Sequence, residues 1–161
     1  MYYHFYGWQT AGNVKAVNHI YKGIDTPIAL YDALCSVWCA DTCAPRMRSE
    51  WTEENKTLGQ CSITAFLAQD IFGGEVYAMP TDNGGVHCYN VVEGYVFDLT
   101  SEQFGQGAEK LCYEGNELQD REMESHFGKE EKRLRYEYLK EQLCRRTGAS
   151  GGGQISACQT Y

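Results

Sequence analysis

Cys61, His87 and Asp98 are the residues whose types and order in this chain can do covalent chemistry. A thiolate attacks a carbonyl carbon, an imidazole carries the proton, and a carboxylate holds the imidazole in one tautomer. Cys61 falls at the start of a predicted helix, whose positive end stabilises thiolate over thiol. Backbone N–H groups at the same helix end could hold a developing oxyanion. Gly59, two residues earlier, would let a substrate backbone approach closely.

His87 and Asp98 flank Glu93-Gly94, which reads as a two-residue hairpin turn. Pairing Val92 with Tyr95 sets Tyr89 against Asp98 and His87 against Thr100. Side chains alternate between faces, so these four share one side and Asp98 is a diagonal neighbour of His87. Asp98 could instead cap a strand-end turn with Thr100. The same parity puts Asn90 on the opposite face, a structural position. His4, His19 and His126 have no comparable setting.

The elements that must position these groups follow from pattern. Thr26 as N-cap and Pro27 at the first position predict a helix to about Ala40. Residues 41–56 read as an irregular connection. Thr57 to Gln60 fits a capping box opening a second helix, with Ile63, Phe66, Leu67 and Ile71 on one face and Gly73-Gly74 at its end. Strands are predicted over 75–79, 86–92 and 95–100. A last helix spans about Asp120 to Arg146, with Leu134, Tyr138 and Leu143 facing inward and Tyr136 or Leu139 completing the face. Residues 1–146 then form one domain and 147–161 a flexible glycine-rich tail.

The 161 residues carry 14 basic and 22 acidic side chains, a net charge of −8 that repels nucleic acid and anionic membranes. No apolar run suits a membrane span, and the N-terminus lacks a secretory pattern, so the cytoplasm is the expected location. The eight cysteines are then expected to be mostly buried or free thiols. Cys35, Cys39 and Cys43 lack the second cluster that a zinc site needs, and Cys35 shares an apolar stripe with Ile28, Tyr31, Leu34 and Trp38, so no metal is expected.

Gly59-Gln60-Cys61 opening a helix, then His87-Cys88-Tyr89-Asn90, then Phe97-Asp98-Leu99-Thr100, resembles the transglutaminase-like branch of the papain-like fold. With Asp41-Thr42-Cys43-Ala44-Pro45, Trp51 to Asn55, Gly73-Gly74 and Gln103-Phe104, the chain more closely resembles the YunG-like family of small uncharacterised bacterial proteins. The resemblance implies an α+β papain-like core, its antiparallel sheet packed on the helix that begins at the nucleophile. It makes Cys61 the nucleophile, His87 the general base and acid, and Asp98 the orienting carboxylate, with Gly59, Gln60, Asn90 and Thr100 in support. The expected reaction is hydrolysis or acyl transfer on a peptide, amide or small-molecule acyl substrate, without metal or organic cofactor. The competing expectation is an inactive interaction module that binds through Tyr2, Tyr3, Tyr6 and Trp8.

Overall fold

The computed structural model describes residues 2–148, and the tail from 149 onward lies outside the described residues. Helix α1 (Trp8–Ala11) and helix α2 (Pro27–Leu34) precede a 3₁₀ helix, Pro45–Glu50. Helix α3 (Cys61–Phe72) is followed by strands β1 (Glu75–Pro80), β2 (Val86–Val92) and β3 (Tyr95–Phe97). A kinked 3₁₀ segment, Ser101–Lys110, leads to β4 (Glu117–Gln119) and the long helix α4 (Glu130–Thr147). The class is α+β.

The sheet is antiparallel with strand order β3-β2-β1-β4. Val76, Ala78, Cys88, Val92 and Phe97 form its buried apolar face. Helix α3 is buried from Ser62 through Ala68, with the sheet on one side and α2 and α4 on others. Burial all round explains why its sequence is apolar beyond a single stripe. Asn90 fastens the two layers, because its side-chain amide donates to the Ala65 carbonyl at 2.8 Å.

Several boundaries differ from the sequence expectation, each for a local reason. Helix α2 stops at Leu34, and the turns after it are held by Thr42, whose hydroxyl bonds both the N–H and the carbonyl of Cys39. Helix α4 starts at Glu130 instead of Asp120, because Glu117–Gln119 pairs with β1 and the Asp120 carboxylate accepts the Glu122 N–H in a turn. Its inward face is Tyr136, Leu139 and Leu143, shared with Arg135 and Lys140; Leu134 and Tyr138 are exposed. Arg135 reaches the Thr42 carbonyl at 3.0 Å, so a polar residue occupies a packing position and hides the stripe.

Candidate active site

Cys61 is the first residue of α3, and the capping box does not form: Gln60 is the N-cap and no side chain caps the helix. The first-turn N–H groups therefore keep their positive field without a competing side-chain acceptor. Gln60 is fully buried and turns away, its amide donating to the Cys39 carbonyl at 3.2 Å. Gly59 has φ +71°, and a Cβ there would lie 2.6 Å from Cys43 Sγ and 2.9 Å from Ala44 N. The close approach at Gly59 is thus made by the chain's own 43–44 segment and not by a substrate. Gly59→Ala is expected to destabilise the fold by roughly 2–4 kcal/mol, combining left-handed strain with the clash. A thermal melt checks this, and an unchanged midpoint would contradict it.

The hairpin turn is the predicted one, with φ 50° at Glu93 and 83° at Gly94, and Val92 pairs with Tyr95. The ladder ends at Asn90 opposite Phe97, after which Asp98 bridges to Tyr6. The diagonal contact forms all the same. His87 Nε2 and Asp98 Oδ2 are 2.6 Å apart, and each side chain is 1% exposed. Asp98 also takes the turn-capping role, since its Oδ1 accepts the Thr100 N–H at 3.1 Å and the Thr100 hydroxyl at 3.3 Å. One carboxylate holds both the histidine and the strand end.

The sequence did not single out Tyr113, and it marked Phe104 only within a family motif, without a role. Tyr113 donates its hydroxyl to Asp98 Oδ2 at 2.8 Å and stacks on Tyr6, with ring centroids 3.8 Å apart. Burial, then the Asp98 charge, push its phenol well above the ordinary range, so it remains a neutral donor. Phe104 meets the His87 ring edge-on at 4.8 Å. Tyr113 follows a polar, glycine-containing stretch with no strand or helix period, so nothing local marked it. The tyrosine contact also draws Tyr6 into the fold, while Tyr3 donates to Asp32 at 2.8 Å and Trp8 packs against the core. Of the four aromatics of the predicted binding surface, only Tyr2 (82%) and Tyr6 (47%) are strongly exposed.

Cys61 Sγ lies 4.0 Å from the Val86 carbonyl, beside Cys88 and His87. The Cys88 thiol hydrogen bond and the His87 interaction outweigh burial and hold the Cys61 thiol well below its ordinary range. Cys88 itself is pushed up by Cys61 and burial, so it stays a donor. Burial opposes the charged form of His87, but Asp98 and then Cys61 overcome it and raise its pKa to about 10. By contrast His126 is a buried neutral ring, lowered to about 4 by burial and then Lys132, and bonded to Gln119 Oε1 at 2.8 Å. Among the described residues no group of three or more His, Cys, Asp or Glu side chains is placed to hold a metal ion, and no helix is long and apolar enough to cross a membrane.

The pair makes stability depend on pH with a definite sign. Between the unfolded pKa values of His and Cys, about 6.5 and 8.5, the folded protein holds the histidine proton and lacks the thiol proton. The two effects cancel there. From about pH 8.5 upward only the histidine difference remains, so stability falls as pH rises through about 10. Denaturant titrations from pH 7 to 10 check this. His87→Gln should flatten the decline, and an equally steep decline in that variant would contradict the assignment.

The profile of the YunG protein family matches residues 26–148. The chain is similar to "Uncharacterized protein YunG" of Bacillus subtilis (strain 168), 48% identical over 56 residues. That stretch covers 35% of this chain and 48% of the relative, so the match spans about half the relative's length. No solved structure matches significantly. The chain belongs to the YunG family.

Proposed function

We propose that this member of the YunG family is a cysteine-dependent acyl-transfer enzyme with a papain-like, transglutaminase-like core. The observation that carries the reading is the 2.6 Å contact of buried His87 Nε2 with Asp98, on a ring whose pKa the neighbouring Cys61 also raises. In the reaction Cys61 Sγ loses its proton to Nδ1 and attacks an amide or ester carbonyl. The oxyanion is received by the backbone N–H groups at the uncapped start of α3, which begins at Cys61. The imidazolium then gives its proton to the departing amine or alcohol, leaving a thioester on Cys61. Water or a second amine, deprotonated by His87, releases the acyl group and restores the thiol.

Peptides, amides and small acyl compounds fit this chemistry, and hydrolysis and transfer share the same thioester. Activated aryl esters of short acids, followed by intact-protein mass spectrometry, test it. The expected result is one acyl adduct that is absent in Cys61→Ser. An adduct that persists in that variant, or none across the ester series, would count against the reading.

A further inference from the structure

The side-chain amide of Gln103 touches three parts of the site at once. Oε1 accepts the Gly59 N–H at 3.4 Å, Nε2 donates to the Thr100 carbonyl at 3.0 Å, and Nε2 lies 3.3 Å from His87 Nδ1. The first two contacts decide which end of the amide is which. A flipped Gln103 would set its NH₂ against the Gly59 N–H and its oxygen against the Thr100 carbonyl. In the orientation that satisfies both, the amide N–H points at Nδ1, and Nδ1 has to accept. The ring proton then sits on Nε2, where Asp98 receives it.

This arrangement conflicts with the state the chemistry needs. Nδ1 is the atom that takes the Cys61 proton, and once protonated it would direct an N–H at the Gln103 N–H. We propose that Gln103 is a positioning residue that lowers the proton affinity of His87 Nδ1, against the pull of Asp98 and Cys61, and that its swing away from Nδ1 accompanies the proton transfer that makes Cys61 a thiolate. The arming role rests on the acyl-transfer reading; the hold on Nδ1 does not.

Every other group around the ring has a different effect. Asp98, beyond β3, and Cys61, on α3, favour the imidazolium, while burial opposes it. Cys88 in β2 stays a thiol, Tyr113 stays a neutral donor to Asp98, and Phe104 offers only its ring. Lys132 of α4 bonds the Ser125 carbonyl at 2.8 Å and bears on Cys61 and Cys88. Gln103 is therefore the hydrogen-bonding group that favours the neutral ring.

The His87 ring titration, followed by NMR of labelled imidazole, tests the hold. A Cys61→Ser background is used for all samples, because it removes the thiolate's pull and brings the midpoint to milder pH. Adding Gln103→Ala is expected to raise the midpoint by about half to one pH unit, the worth of one neutral hydrogen bond. Gln103→Glu should raise it further, since a carboxylate accepts the Nδ1 proton, and it serves if the alanine variant folds poorly. A side chain that merely braced the fold would loosen the Asp98 contact when lost and move the midpoint down. A midpoint that stays or falls in both folded variants overturns the proposal. Because this readout needs no reactive cysteine, its failure is distinct from failure of the acyl-transfer reading. Arming is read with Cys61 present, where Gln103→Ala should be alkylated at pH 7 at least as fast as wild type; a slower rate overturns that part.

Discussion

Asp98→Asn is expected to leave the protein folded and to lower acyl turnover by about three to four orders of magnitude. The amide can still accept from Thr100, whose N–H and hydroxyl both reach Oδ1. What changes is the proton on His87. An Asn NH₂ facing Nε2 donates where the carboxylate accepted, so the ring moves its proton to Nδ1. Without the carboxylate the imidazolium loses its main stabilising charge, and a neutral ring that carries its proton on Nδ1 can neither take the Cys61 proton nor support the thiolate. Asp98→Ala separates the structural part of the role. It strands the Tyr113 hydroxyl, the Thr100 N–H and the His87 ring without their buried acceptor. Removing one member of a buried charged pair costs about 3–5 kcal/mol, which lowers Tm by roughly 10 °C in a domain of this size. Turnover assays and thermal melts on the two variants check both parts. Equal activity in Asp98→Asn and wild type would remove Asp98 from the chemistry.

His87→Ala is expected to slow alkylation of Cys61 at pH 6 by about one to two orders of magnitude. An ordinary thiol with a pKa of about 8.5 is less than ~1% thiolate at that pH, whereas the Cys61 thiol is held well below its usual range. The loss is smaller than the thiolate fraction alone implies, because a less acidic thiol gives a more nucleophilic anion. The Cys88 thiol and the helix field persist in the variant, so some activation survives. Iodoacetamide labelling with peptide mass spectrometry reads the rate, and an unchanged rate in a folded variant would detach His87 from Cys61.

The hairpin was legible because two glycine-tolerant turn positions fix register, and period two then decides which side chains share a face. That reasoning placed His87 near Asp98 and put Asn90 on the opposite face, where the structure has its amide bonding Ala65 of α3. It could not give the end of the ladder, because Asp98 leaves β2 for Tyr6, a residue far away in sequence. Gln103 and Tyr113 reach the histidine and its carboxylate from the irregular segment after β3, and no periodic signal marks such residues. The face of α4 misled for a related reason. Arg135 and Lys140 are buried among Tyr136, Leu139 and Leu143, so the hydrophobic stripe has charged residues inside it. At α3 the expected start was too early, since Thr57 lies in a turn and Gln60 takes the cap.

The central claim, that Cys61 is a thiolate nucleophile, is tested most directly in the unaltered protein by alkylation of each cysteine across pH 5 to 10. Cys35 and Cys43 are internal controls, because burial raises both thiols. Cys61 is predicted to reach half its maximal rate well below pH ~8.5, with Cys35 and Cys43 following at or above that value. Titration of Cys61 together with Cys35 and Cys43 would contradict the account.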